Sequence, residues 1–256
     1  MLAALLLAAL PTAEAAGYYT TDIGTRGMSR GGAYIAGNRD LSAQFYNPAA
    51  LINLSGPQMF VNYSMVDQAV DFTRVDLDDS GQVEKTYDTV NNIADPMQIP
   101  AFGVAHNFGL DNAMFALGML PPFAPDMEYP ADGAQRYTLI DSLIWEVSAG
   151  PSVAYRALPW LTVGGSVFWN LVRAEQTLNA NVCSAGTPAG AEPNSSCDNY
   201  AADQVDLTVD LKMMDKSTIT GNVGILIEPR DDLKIGLSLE PPMEVVGQGS
   251  LSAEFS

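Results

Sequence analysis

The sequence predicts an all-β chain, an antiparallel transmembrane β-barrel preceded by an N-terminal plug. Three observations predict it. From residue 56 onward, apolar and polar side chains alternate with period two, which sets one face of each strand in an apolar medium and the other in a polar one. The connections alternate between long and short, the rhythm of a bacterial outer-membrane barrel with short periplasmic turns and long outer loops. Ahead of the strands, residues 16–55 are glycine-rich and do not alternate.

The order of elements begins with MLAALLLAALPTAEA. An apolar run from Leu2 to Leu10 is followed by the small-residue site Ala13-Glu14-Ala15, the pattern of a signal peptide over residues 1–15, removed on export. The basic segment usual before such a run is missing, so the true start is expected upstream. The run is well short of the ~20 residues that a membrane-spanning helix needs. Any insertion must therefore use strands. A short buried helix is the alternative reading of the run.

In residues 16–55, Gly24, Gly27, Gly31 and Gly32 permit tight backbone bends. Asp40 is placed to cap a short helix and Pro48 to end or kink it. A compact, non-strand segment in this position can fold back into a barrel lumen.

Barrel strands then occupy residues 56–256. They are expected near 57–73, 99–108, 113–120, 137–155 and 160–176; a sixth ends at the turn 228–232, and a seventh starts at Leu233. Leu226 alone breaks the polar side of the sixth. Most of these strands approach or exceed the ~9–11 residues of a tilted spanning strand. Their polar face is rich in Gly, Ser, Thr and Asn, as a lumen would be. Trp145, Trp160 and Trp169 lie on apolar-face parity or at a turn, where interfacial aromatics belong. A secreted β-sandwich or jelly roll also alternates, but those three features favour the barrel. Bacterial barrels close with an even number of strands. The chain ends at Phe255-Ser256 inside what reads as a further hairpin, so it is expected to be the N-terminal part of a longer protein.

Composition narrows the function. With 12 basic and 30 acidic residues the net charge is −18, which repels nucleic acid. Charged residues make up 16% and hydrophobic ones 47%, so acidic loops should connect apolar strands. Cys183 and Cys197 bracket a Gly/Pro/Ser/Asn-rich loop, and export would let them form a disulfide. Neither they nor the lone His106 make a metal site, and no cofactor is implied. DLDDSGQVEKTY, residues 76–87, resembles a calcium loop, but Tyr87 stands where a bidentate Glu is required. A solvated hairpin is expected there. No nucleophile–base arrangement points to an enzyme.

One segment carries a resemblance. IGTRGMSRGGAYIAGNRDLSAQFYNPAAL is similar to the N-terminal hatch of the FadL/TodX family, outer-membrane transporters of long-chain fatty acids and aromatic hydrocarbons. The matching residues are Gly24, Arg26, Gly27, Arg30, Gly31 and Gly32, with Tyr46, Asn47, Pro48 and Ala49. WEVSAGPSVAYRALPWLTVGGSV (145–167) and TGNVGILIEPRDDLKIGLSL (220–239) resemble the family's strand-turn-strand segments. The resemblance implies a barrel of about fourteen strands, plugged by the hatch. Ligand would be caught at outer loops, released by hatch movement, and passed sideways through a gap beside a kinked third strand.

That strand, AMFALGMLPPF, carries Gly118, Pro121 and Pro122, all of which weaken ladder pairing. It is the candidate gap, unless the prolines merely begin the outer loop. Phe123, Met127 and Tyr129 are candidate exposed residues for ligand capture, unless the loops pack on each other. Arg26 and Arg30 are expected to meet either a ligand head group or lumen acids such as Glu146. The implied partners are a hydrophobic small molecule, outer-membrane lipid and lipopolysaccharide, with the protein a monomer. Two other readings stay open: a non-transporting barrel relative that scaffolds or shuttles secreted proteins, and a soluble β-sandwich binding protein.

Overall fold

The computed structural model describes residues 24–78, 80–181 and 206–255. The signal peptide expected at 1–15 and the cysteine loop holding Cys183 and Cys197 lie outside the described residues.

The N-terminal segment holds helix α1 (Thr25–Met28), helix α2 (Ala43–Tyr46) and a 3-10 helix (Pro48–Asn53). The strands follow: β1 (Gln58–Val66), β2 (Asp71–Phe72), β3 (Val75–Leu77), β4 (Val83–Thr86), β5 (Val90–Asn91), β6 (Met97–His106) and β7 (Ala113–Phe123). After them come β8 (Asp126–Glu128), β9 (Asp141–Leu158), β10 (Leu161–Asn181), β11 (Asp206–Arg230), β12 (Leu233–Leu239) and β13 (Gln248–Phe255).

Nine strands form one antiparallel sheet in the order β1-β6-β7-β9-β10-β11-β12, with β8 added to β9 and β13 to β11. Among the described residues the sheet is open, with β1 at one edge. Sequential neighbours pair because short turns join them, as at 158–161 between β9 and β10.

Three expectations are corrected. The first strand does not run to residue 73. It ends at Val66, and Phe72 pairs instead with Val90 in a separate ribbon, β2–β5; period-two patterning cannot distinguish a long strand from two short ones. The third strand does not stop at 120. It runs through Pro121 and Pro122 to Phe123, so the prolines lie inside the wall. Residues 248–255 form no further hairpin. β13 pairs with β11 from Met214↔Gln248 to Leu207↔Phe255, on the same side as β12. The stretch between them, which contains Pro241-Pro242, leaves the ladder because proline donates no hydrogen bond.

The outward face is apolar. Met59, Val61, Val104, Leu117, Val167 and Val223 are all exposed, a surface that suits lipid and not water. Trp160 and Trp169 are also exposed. Trp160 sits at the β9–β10 turn and Trp169 nine residues on, along β10, a separation of ~30 Å on extended chain, or ~21 Å along the barrel axis at the usual tilt, close to the ~25 Å height of an outer-membrane apolar band. The inward face is small and polar. Ser148, Ser152, Ser166, Asn170 and Asn222 are buried there. The core sits between this inner face and the N-terminal segment: Leu41, Ala43 and the 3-10 helix pack on Ala105, Met114, Ala116, Ala154 and Leu226.

Candidate functional site

The N-terminal segment is tied together by its own motif. Gly24, Gly31 and Gly32 take φ values of 84°, 58° and 78°, the left-handed region that favours glycine. Gly27 is required by space: a Cβ there would meet the Tyr46 hydroxyl at 2.4 Å. Tyr46 in turn meets the buried Tyr34 edge to face at 5.9 Å. Asp40 accepts hydrogen bonds from the Ser42 backbone N–H and hydroxyl, so it shapes the turn before α2 but does not cap the helix directly.

Asn47-Pro48 joins two short helices. The Asn47 side chain accepts from the Ala49 N–H at 3.1 Å and so caps the 3-10 helix. Its Nδ2 donates to the carbonyls of Ile35 and Ile225, both at 3.1 Å. One residue thus caps a helix, closes the segment on itself and pins it to β11. Pro48 starts the second helix, where its missing N–H costs nothing.

The wall is shaped to receive this segment. Glycines on β10, β11 and β12 lie directly against it: a Cβ on Gly164 would fall 2.4 Å from Ala49 N, one on Gly224 would fall 2.9 Å from Pro48 Cδ, and one on Gly236 would fall 2.9 Å from the Ile35 carbonyl oxygen. The Gln44 carbonyl accepts from Ser166 Oγ at 2.9 Å and Asn222 Nδ2 at 3.2 Å, and its side-chain Nε2 donates to Gly150 O at 2.9 Å. Phe45 stacks on the lumen-facing Phe168 at 4.8 Å.

Arg26 and Arg30 form no ion pair with Glu146. Arg26 donates to the Arg39 carbonyl at 3.2 Å, and Arg30 lies 5.2 Å from the Tyr34 ring centre. Both line a cavity of about 470 Å³ with Arg39, Asn53 and Lys234, at the end of the sheet where the short β11–β12 turn lies. Glu146 sits toward the other end, opposite Val172 and Phe123.

The candidate gap lies just above Gln44. The β6–β7 ladder runs from His106↔Phe115 to Phe102↔Met119 and stops. Yet β6 continues against β1 up to Val66↔Met97, and β7 continues against β9 through Leu120↔Ser148, followed by a register shift to Phe123↔Glu146. Met97–Ala101 and Leu120–Phe123 therefore border a stretch of wall with no ladder between β6 and β7. Pro121 and Pro122 supply no donors there. Gly118 marks the floor: a Cβ would lie 2.9 Å from Gln44 Oε1.

At the opposite end from the short turns, the loops enclose a cavity of about 1050 Å³. Phe72, Tyr87, Val90, Tyr137 and Leu178 provide apolar and aromatic lining, with Arg74 and Arg136 among them. Arg136 Nε donates to Asp206 Oδ2 at 2.9 Å, and Tyr137 donates to Asp206 Oδ1 at 3.0 Å. Arg74 pairs with Asp76 at 3.0 Å and lies 4.8 Å from the Tyr87 ring centre. The Tyr87 hydroxyl, and then Arg74, hold the Asp76 carboxyl below the usual range. Residues 75–78 and 80–86 belong to the solvated hairpin β3–β4, and the Asp78 carboxylate accepts from the Ser80 and Gln82 N–H groups.

Met127 and Tyr129 are not exposed; both are buried, because β8 pairs with β9 and the 66–96 connection covers it, Ile93 N donating to Glu128 O at 2.8 Å. Phe123 is in the wall, opposite Glu146. Arg74, Arg136, Tyr137 and Asp206 went unread in the sequence, and Tyr87 was read only as the misfit in a calcium loop. They are drawn together from segments far apart in the chain, and only the scarcity of cations, 12 in all, hinted that two near aromatics had a use.

Comparison with known proteins places this geometry. The family model described as "Outer membrane protein transport protein (OMPP1/FadL/TodX)" matches residues 5–253. A Neisseria meningitidis serogroup B protein named as an outer membrane protein is 30% identical over 139 residues, covering 51% of this chain and 28% of that protein. Among solved structures, a Pseudomonas aeruginosa FadL homologue aligns with a TM-score of 0.71 at 18% identity, covering 89% of this chain and 53% of the other. The CymD monoaromatic hydrocarbon channel aligns at 0.60 and 14% identity, covering 94% and 59%. The chain thus spans a little over half the length of the solved structures it resembles, and at these identities the likeness is one of fold.

Proposed function

Because this chain belongs to the outer membrane protein transport family (OMPP1/FadL/TodX) and so to the bacterial outer membrane, we propose that the protein carries hydrophobic small molecules across that membrane. A ligand enters the outer cavity, moves down to the Phe45–Phe168 platform above the hatch, and leaves sideways between β6 and β7. The protein acts as a monomer in contact with outer-membrane lipid and lipopolysaccharide, without a cofactor. The observation that carries this reading is the lapse of the β6–β7 ladder directly above Gln44 of the hatch. A lateral exit spares an apolar solute its return to water, at roughly 0.8 kcal/mol per CH₂ group.

The seating of the hatch limits which part of it moves. Residues 41–54 are wedged against the wall and largely buried, whereas Thr25, Arg26 and Met28–Gly31 are exposed. Movement is therefore assigned to the N-terminal part, with Asn47-Pro48-Ala49 as its fixed base. The test is uptake of labelled oleate and labelled toluene by a host that lacks its own channel and carries the complete gene. Heat-modifiable gel mobility confirms a folded barrel. Uptake of either compound, lost when the N-terminal part of the hatch is disulfide-locked to β1 beside Asn62, which Thr25 approaches at 3.4 Å, supports gated transport. A folded barrel that moves neither compound overturns it.

A further inference from the structure

We infer that the ligand captured in the outer cavity is electrically neutral, a hydrocarbon or another uncharged apolar molecule, and not a carboxylate. The inference rests on the capture reading above and deepens it. A carboxylate would need a free cation. Arg74 and Arg136 are the cations lining the cavity, and each already holds an acid: Arg74 with Asp76 at 3.0 Å, Arg136 with Asp206 at 2.9 Å. All three guanidinium nitrogens of Arg136 are engaged, by Asp206, Tyr137 and the Gly133 carbonyl. The charged edges of both arginines are turned to these partners, and their faces lie against Tyr87 and Tyr137. What remains toward the cavity is largely aromatic and apolar surface.

The charge balance agrees. Asp88 and Asp132 also line the cavity. Lys85, the third cation near the cavity, lies 4.1 Å from the Tyr87 ring centre and opposite Asp76 on the β3–β4 hairpin, whose carboxyl it helps Tyr87 and Arg74 to hold down. Counting Arg74, Lys85 and Arg136 against Asp76, Asp88, Asp132 and Asp206 gives 3 − 4 = −1. On the neighbouring strands Asp126, Glu128 and Asp141 crowd together, and burial followed by mutual repulsion pushes the Asp126 and Asp141 carboxyls up. An incoming anion meets this field, which focuses in a partly enclosed cleft. A neutral solute does not.

The experiment uses the purified full-length protein in neutral detergent and two probes of equal chain length, 1-octanol and octanoate, at pH 8 and low salt. Calorimetry gives the Kd of each. Octanoate is expected to bind roughly tenfold more weakly than octanol, a 1.4 kcal/mol difference. The ratio should shrink about threefold in Asp88→Asn/Asp132→Asn and again in 0.5 M NaCl, where the Debye length falls below ~5 Å. Octanoate binding as tightly as octanol overturns the inference while leaving capture at the cavity intact, as does a ratio that neither the variant nor salt changes. If neither probe binds, the capture reading fails and this inference fails with it.

Discussion

At the scale of single residues, the contact between segment and wall is set by atoms that are absent. Gly164 leaves room for the Ala49 backbone, which cannot retreat because the 3-10 helix is closed by Asn47. Gly164→Val should therefore cost roughly 1–3 kcal/mol through overpacking, read as a lower urea midpoint for the heat-modifiable band. Gly118→Ala should cost less, since it meets only the end of the Gln44 side chain. Arg136 and Asp206 make the opposite case. The Asp206 side chain is 3% exposed, and Asp206→Ala strands a guanidinium among aromatics, a loss of about 3 kcal/mol that should show as early proteolysis of the outer loops. Leu226 and Phe168 show how far the sequence could be read here. Both break the polar side of their strands, and both do so because the N-terminal segment packs on them. The exceptions carried the information about the plug; the alternation carried only the strand.

At the scale of elements, the two proline pairs decide where the wall is continuous. Pro121-Pro122 was visible from the start, but whether it lay in a loop or in the wall was not, because proline ends strands and interrupts them with equal ease. Pro121→Ala/Pro122→Ala restores two backbone donors, one of which would face β6 on a regular strand and the other β9, and the β6–β7 ladder should lengthen. Uptake is then expected to fall several-fold, measured beside the parent at equal barrel abundance; unchanged uptake would remove β6–β7 as the exit. The outer end of β8–β9 has its own pH signature. The Asp126 and Asp141 carboxyls are pushed up, burial first, so their ionisation weakens the folded outer end above their folded pKa values and relaxes as the pH falls toward the ordinary 3.8. Asp76 acts with the opposite sign, but only as pH falls below ~4. Amide exchange in β8 should therefore slow between pH 7 and pH 4 after correction for intrinsic rates, and Asp126→Asn/Asp141→Asn should abolish that slowing. The outer cavity was illegible at this scale, since residues 72–90, 130–138 and 178–180 share no local pattern; only the strand pairing brings them together.

At the scale of the whole molecule, the barrel class and the plug were readable because each follows from periodicity and its absence. The proposed route was readable only in part: the prolines of β7 marked a candidate gap, but where the β6–β7 ladder lapses depends on strand pairing. The tight seating of the N-terminal segment also bears on biogenesis. Its backbone approaches the glycines of β10, β11 and β12 too closely for a preformed plug to be pushed past Phe168 and Trp-anchored strands once a cylinder has closed. Assembly must therefore be ordered, with the segment docking on the open sheet before closure. Refolding into vesicles with residues 24–55 supplied afterwards as a separate peptide should give barrels that never acquire protease protection of that peptide, whereas peptide present from the start should be protected. The glycines, in this light, are a record of the sequence of events by which the protein is built.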